Sequence, residues 1–347
     1  MNYSRKIYKK DSKGKIRMLH VYTQGAELIQ ESGVLDGKLI THQSTCTPKN
    51  VGKSNETTGE QQAVLEAEAK IVSKMVEEYF NTIEEAEESE IILPMLAKDY
   101  KKESHKVNFP CFVQPKLDGQ RALTMKDKSI ISRKGRPVDT MDHITSVLPE
   151  GYNFDGELYA HGLSFQENMK LIKKYRPGKS EDIKFHVYDI VSDKPFKERL
   201  SLLSSILVDI DQVTVVPTYE VKNEQEIDTY HKIFLSKGYE GTIVRHSYAG
   251  YGVNKRDSQL LKYKDFIDIS CEVIDVLVST KDPLQGIVHC KNDKGTFGCG
   301  MKFSHKEREE ILKNKKDYIG RTAEIRFFEY TDDGLPRFPV CYGFRND

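Results

Sequence analysis

The 347 residues contain no tryptophan, no C-x-x-C pair and no apolar run long enough to span a bilayer. Each absence removes a class of answer. Without a long apolar run there is no reason to read a membrane helix. The polar start Met1-Asn2-Tyr3-Ser4-Arg5 carries no apolar signal core, so an intracellular, cytoplasmic protein is the simplest reading. Six scattered cysteines (Cys46, Cys111, Cys271, Cys290, Cys299 and Cys341) suggest neither a zinc site nor a disulfide framework. No internal repeat is visible, which argues against a solenoid. Lys plus Arg and Asp plus Glu each number 53, so the net charge is zero and bulk charge alone does not announce a nucleic-acid partner.

What is present points to a soluble globular chain of two or three domains, with 38% hydrophobic and 31% charged residues. Charge is unevenly placed. Residues 1–20 hold seven basic side chains (Arg5, Lys6, Lys9, Lys10, Lys13, Lys15 and Arg17) against one acid, Asp11, whereas residues 84–90 read EEAEESE. A solvated strand pair is the plain reading of the basic end. The stretch KIYKKDSKGKIRMLHVY predicts a hairpin turning at Ser12-Lys13-Gly14. Apolar residues from Val64 to Phe80 recur at helical spacing, and the acidic run that follows reads as a linker. These features place a small α+β module at 1–90.

Residues 91–268 read as α+β. Strands are expected at 111–114, 122–125, 129–132, 154–159, 185–191, 214–218 and 242–245, and helices at 164–174, 196–207 and 223–236. The strands do not alternate regularly with helices, so antiparallel sheets with flanking helices fit better than a doubly wound sheet. Residues 269–347 turn β-rich, with one short helix at 306–314, and suit a five-stranded OB-fold β-barrel.

The sharpest local feature is Lys116-Leu117-Asp118-Gly119-Gln120-Arg121. Four specified residues at this spacing arise by chance in roughly one chain in two hundred of this length. A surface turn is the plain alternative, because Asp-Gly is turn chemistry. A lysine becomes a nucleophile only once its ammonium loses a proton, with help from neighbouring cations or burial. Attack on the α-phosphate of ATP leaves a phosphoramide bond to AMP, and then needs carboxylates for a metal, further cations for the phosphate and an aromatic ring for adenine. The chain supplies each in order: Asp155-Gly156-Glu157-Leu158, then Phe185-His186-Val187-Tyr188-Asp189, then Glu240-Gly241-Thr242-Ile243-Val244-Arg245, then Leu261-Lys262-Tyr263-Lys264. On one strand the two lysines of the last motif share a face. Taken alone, Tyr188 reads as a core aromatic, the glutamates as exposed strand ends, and the lysines as edge-strand solubilisers. His186 is expected to face away from Tyr188.

The ordered set resembles the covalent nucleotidyltransferase superfamily of DNA ligases, RNA ligases and mRNA capping enzymes. Lys116–Arg121 is similar to its nucleophile motif and Ser132-Arg133-Lys134-Gly135 to the motif that follows. Arg337-Phe338-Pro339-Val340-Cys341-Tyr342-Gly343-Phe344-Arg345 is similar to the ending of the OB domain in ATP-dependent DNA ligases. The resemblance covers residues 93–347 and suits a phage or bacterial enzyme. It implies sealing of nicked double-stranded DNA by a monomer, in replication, repair or recombination, with ATP and Mg2+. It also implies roles. Lys116 is the nucleophile. Arg121 contacts the nucleotide sugar and later the nick, and Arg133 holds the nick's 5′-phosphate. Glu157 binds ribose or a metal-bound water, and Glu240 supports the metal. Tyr188 stacks on adenine. Lys262 and Lys264 contact the α-phosphate. Arg337 or Arg345 orients pyrophosphate.

Two departures from the commonest pattern stand out. Gln114 occupies the position two before the lysine, where relatives carry Glu or Thr; its amide can still meet the adenine amino group. Tyr263 separates the two lysines, with no tryptophan before them. Residues 1–90 resemble small DNA-binding modules named for a Trp-Gly-Arg motif, without carrying Trp-Gly-Arg. The alternatives are an RNA ligase, whose relatives mostly lack this C-terminal ending; a guanylyltransferase using GTP; and a catalytically silent nucleic-acid-binding protein. NAD-dependent relatives carry a further N-terminal domain and zinc-binding cysteines that this sequence lacks.

Overall fold

The computed structural model describes residues 3–11, 14–77, 79–89, 92–246, 248–280, 282 and 284–345. The chain forms two compact units, Met1–Tyr263 and Lys264–Asp347.

The first unit opens with an antiparallel meander: β1 (Ser4–Lys10), β2 (Ile16–Gln24), β3 (Glu27–Val34) and β4 (Ile40–Thr45), paired in that order. Alternation puts Ile7, Leu19, Val21 and Leu28 on one face. Helix α1 (Gly59–Val76) covers that face with Ala63, Ala67 and Ile71. Thr58 and Gln61 start the helix with a reciprocal capping box. The expected hairpin forms, although Ser12 and Lys13 of its turn lie outside the described residues. Helical spacing suggested a helix running to Phe80, but α1 stops four residues earlier because Phe80 leaves to pair its backbone with Tyr8 in both directions, at 2.8 and 2.7 Å. The acidic run is not simply a linker. Within it α2 (Ile83–Glu88) is started by a second capping box, Thr82 with Glu85, and buries Ala86.

Two five-stranded sheets follow, still within the first unit. Their elements are, in chain order, β5 (Leu96–Asp99), α3 (Tyr100–Glu103), β6 (Cys111–Lys116), β7 (Gln120–Thr124), β8 (Ile130–Ser132), α4 (Asp142–Thr145), β9 (Phe154–Tyr159), α5 (Phe165–Lys173), β10 (Lys184–Ile190), α6 (Phe196–Ile206), β11 (Val213–Val215), β12 (Tyr219–Val221), α7 (Glu224–Ser236), β13 (Gly241–Arg245) and β14 (Arg256–Tyr263). One sheet has the order β11-β10-β9-β7-β8 and the other β12-β6-β13-β14-β5. Most pairings are antiparallel; β10–β11 and β14–β5 are parallel. The expected strand at 214–218 is cut short: β11 ends at Val215, and β12, which begins at Tyr219, pairs in the other sheet. The outer face of the first sheet packs Phe154, Leu158, Phe185 and Val187 against α5 and α6 residues such as Ile172 and Leu203. The outer face of the second packs Val113, Val244 and Leu261 against Ile227 and Phe234 of α7.

The second unit is a closed barrel of β15 (Ile267–Val278), β16 (Gly286–Asn292), β17 (Gly295–Met301), β18 (Thr322–Phe327) and β19 (Val340–Arg345), in the order β15-β16-β17-β19-β18. Helix α8 (His305–Lys313) lies between β17 and β18 in the chain. The barrel is filled by Val273, Val288, Ile325 and Phe327 together with Cys271, Cys290, Cys299 and Cys341. All six cysteines are buried, and none is in a disulfide.

Candidate active site

Lys116 stands at the end of β6, and the chain there is built to open. Strand β12 pairs only with residues Cys111–Val113, while β13 runs on to Lys116. Along an antiparallel strand, successive residues present their N–H and C=O to opposite sides. The Lys116 carbonyl accepts from Glu240 on the β13 side, so Pro115 turns its nitrogen to the side that β12 has left. A proline in a central strand is tolerated at such a place. Gly119 then lets the turn press onto β9: a Cβ there would meet the Leu158 carbonyl at 2.3 Å. Gly156 is equally constrained, since its Cβ would meet the His186 carbonyl at 2.5 Å. The glycines of both Asp-Gly motifs are therefore packing requirements, and they bring Lys116 up to the strand that carries Glu157.

Strand register assigns the faces. Gly241 lies opposite Lys116, Ile243 opposite Gln114, and Lys262 opposite Ile243. Cross-strand partners point the same way, so Lys116, Gln114 and Lys262 share one face. In the other sheet Glu157, on the middle strand, is the cross-strand partner of both Arg121 and His186. The Lys116 ammonium contacts the Glu240 carboxylate, which is buried. Burial pushes the Glu157 carboxyl up to about 7; Lys116 and then Arg121 pull it down, and Glu240 pushes it further up. That coupling places both glutamates and the lysine within electrostatic reach of one another.

Tyr188 donates to the Gly156 carbonyl at 3.1 Å and to Glu157 Oε2 at 3.4 Å. Its ring lies 5.5 Å from the Arg121 guanidinium and 5.4 Å from that of Arg245. Burial drives its hydroxyl far above the ordinary range. His186 does not face away: it alternates with the buried Phe185 and Val187 and shares the partly open side with Tyr188. Residues two apart on a strand point the same way. Burial lowers the His186 imidazole to about 4, so it is neutral at pH 7.

Arg121 is held by two hydrogen bonds to Asp155, at 3.0 and 2.5 Å. Arg133 sits on the turn after β8. Burial and the nearby Arg121 and Arg256 depress its guanidinium, and among the described residues it makes no ion pair. Gln114 is 1% exposed. Its amide nitrogen donates to Thr218 Oγ1 at 2.8 Å and to the Tyr188 carbonyl at 3.3 Å, and its oxygen accepts from Arg245 at 2.7 Å.

The two lysines of the Leu261–Lys264 motif are not on one strand. Lys262 belongs to β14, which ends at Tyr263; Lys264 lies just beyond, in the second unit, with its ammonium 4.3 Å from the centre of the Phe328 ring. Tyr263 turns to the other face and stacks on His231 at 3.8 Å. In the barrel unit Arg337 is paired with Glu329, and Arg345 donates to Glu324 at 2.6 Å.

A buried charge network escaped the sequence reading. Asp189 accepts from Arg199 at 2.7 and 3.1 Å and from Arg245 at 2.5 Å, while Asp155 also accepts from Tyr251 at 2.6 Å. Its visible signals were Asp189 and Arg245, each the last residue of a motif.

Among the described residues no group of three or more His, Cys, Asp or Glu side chains is placed to hold a metal ion. Glu157 and Glu240 are a pair. That donor set suits magnesium, which is commonly held by one or two carboxylates with the substrate's phosphates and water completing its shell.

The family model of the ATP-dependent DNA ligase domain matches residues 94–264, and that of the DNA ligase OB-like domain matches 284–345. The chain belongs to the ATP-dependent DNA ligase family. A DNA ligase of Haemophilus influenzae is 27% identical over 232 residues, covering 65% of this chain and 84% of that protein. The DNA ligase of Enterobacteria phage T4 is 26% identical over 304 residues, covering 66% of this chain; the match spans only 62% of the phage protein. A DNA ligase of African swine fever virus is 27% identical over 340 residues, covering 86% of this chain and 78% of its own. Among solved structures, one described as a Lig E DNA ligase superposes with a TM-score of 0.64 at 23% identity, covering 74% of this chain and all of that one. A second, Pmar-Lig_Pre, has a TM-score of 0.65 at 22% identity, covering 84% and 77%. At those identities the structures speak for the fold, and it is that of a DNA ligase.

Proposed function

We propose that this ligase seals nicks in duplex DNA, acting as a monomer through a covalent Lys116–AMP intermediate. The observation that carries the reading is the convergence on Lys116: Glu240 at its ammonium, Glu157 and Arg121 on the facing sheet, and Lys262 on its own face.

In the first step the Lys116 ammonium gives up a proton to solvent, and the lone pair of the resulting amine attacks the α-phosphorus of ATP. The N–P bond forms, the bond to the β-phosphate oxygen breaks, and pyrophosphate leaves. Lys262 and Lys264 offset charge on the α-phosphate, and Arg337 or Arg345 orients the pyrophosphate. Tyr188 stacks on adenine, with Gln114 beside it, and Arg121 and Glu157 meet the ribose. In the second step a 5′-phosphate oxygen, held by Arg133, attacks the same phosphorus and Lys116 leaves, recovering a proton. In the third the 3′-hydroxyl attacks the 5′-phosphate, its proton is lost, and AMP departs. Glu157 and Glu240 are the residues that would hold Mg2+, which neutralises phosphate charge when bound.

The test is direct. The chain is incubated with α-labelled ATP and magnesium, then denatured. Label should remain on the protein and be absent from Lys116→Ala; label that persists in that variant ends the proposal. Sealing of nicked DNA, compared with nicked RNA, separates the proposal from an RNA ligase.

A further inference from the structure

Three of the four cations on β1 are bonded inside their own module. Arg5 donates to Asn81 Oδ1 at 2.6 Å, Lys9 to the Glu77 carbonyl at 2.6 Å, and Lys10 to the Glu87 carbonyl at 2.5 Å. With the Tyr8–Phe80 backbone pair, these bonds fasten the chain from the end of α1 through α2 to β1. Cations already engaged with their own chain are poorly placed to grip a phosphate backbone.

The tip built in this way carries an acid that reaches out of the module. Glu77 accepts from Lys74 at 2.7 Å and from Arg136 at 2.5 Å, and Arg136 also donates to Ser73 Oγ at 3.4 Å. Arg136 closes the turn on which Arg133 stands. Its carbonyl accepts from the Ser132 N–H at 2.7 Å, its own N–H donates to Ser132 Oγ at 3.1 Å, and Gly135, at φ +81°, donates to the Ser132 carbonyl at 2.9 Å. Arg133 itself is crowded by Arg121 and Arg256 and makes no ion pair among the described residues. The backbone of that turn sets where the Arg133 side chain starts.

We propose that Glu77 and Arg136 are positioning residues for the nick's 5′-phosphate: the N-terminal module holds the turn at 132–136 and thereby sets where Arg133 meets that phosphate. This rests on the reading of Arg133 as the phosphate contact, and the experiment separates the two.

Binding of the full chain to a nicked duplex is measured with a 5′-phosphate and with a 5′-hydroxyl at the nick, over a range of salt, beside Lys116 labelling from ATP. The parent should prefer the phosphorylated nick. Glu77→Gln and Arg136→Ala should each cut that preference about fivefold, leaving 5′-hydroxyl binding and Lys116 labelling unchanged. The exchanged pair Glu77→Arg with Arg136→Glu should recover most of it. Retained labelling shows that each variant is folded. If Arg133→Ala loses the preference and Glu77→Gln keeps it, the positioning proposal falls and the Arg133 reading stands. If Arg133→Ala keeps it too, both fall. Equal weakening on both nicks with a flatter salt dependence would show the module gripping DNA directly, and would also overturn the proposal.

Discussion

The backbone N–H of Glu240 donates to the Lys116 carbonyl at 3.0 Å, and the carboxylate of the same residue meets the Lys116 ammonium. The backbone bond fixes how the two strand ends approach; the side chain governs charge. An ammonium has no lone pair to offer phosphorus, so this pair is a resting arrangement that incoming charge must loosen. Glu240→Gln keeps the backbone bond and the shape but removes the countercharge. Lys116 labelling from ATP should fall about a hundredfold or more, with the circular dichroism spectrum unchanged. A rate close to the parent's would take Glu240 out of the chemistry.

Glu157 predicts a pH dependence. Burial lifts its carboxyl to about 7, against the pull of Lys116 and Arg121. Because the value is raised, the group holds its proton below about 7 and is ionised above. Ribose hydroxyls and a metal-bound water both call for the ionised form. Lys116 labelling should therefore rise with pH between about 6 and 8. Glu157→Gln should label slowly, and at one rate across that interval. A rise that survives in the variant belongs to another group.

Asp189 makes a prediction about stability. It is fully buried between Arg199 and Arg245, which are themselves 1% and 2% exposed. Asp189→Asn leaves two buried guanidinium groups without their countercharge. That should cost about 3–5 kcal/mol in urea unfolding. It should also loosen Tyr188 and Gln114, because Arg245 touches both. A loss under about 1 kcal/mol would mean that water reaches the arginines.

The motifs were legible where chemistry is local in the chain. Lys116 and Gly119 sit three apart, and both Asp-Gly pairs are forced by backbone approach. The sheets were legible from alternation, and the OB barrel from its run of strands. The Asp189 network was not, because its partners lie 10 and 56 residues away and Gln114 meets Arg245 across 131. A single sequence carries no sign of which Arg finds which Asp. The shared strand for Lys262 and Lys264 failed because β14 stops between them. The helix in the acidic run had a visible signal, Thr82 with Glu85 three residues on, which the run of like charge obscured.

Glu77 gives the last prediction, in acid. Burial works to raise its carboxyl, but hydrogen bonds from Lys74 and Arg136 outweigh it and hold the group at about 2, below its ordinary 4.5. A depressed carboxyl contributes stability above its unfolded value and loses it as pH falls towards the folded one. Glu77→Gln should therefore be less stable than the parent at pH 7, by on the order of 2 kcal/mol. The gap should begin to narrow below about pH 4.5 and close near pH 2. Arg136 is half exposed, so solvent screens its share: Arg136→Ala should cost less than about 1 kcal/mol at pH 7. Urea unfolding of the three proteins at several pH values measures both differences. A Glu77→Gln deficit that stays constant from pH 7 to pH 3 would show that the carboxylate's charge is not what joins α1 to the turn at 132–136.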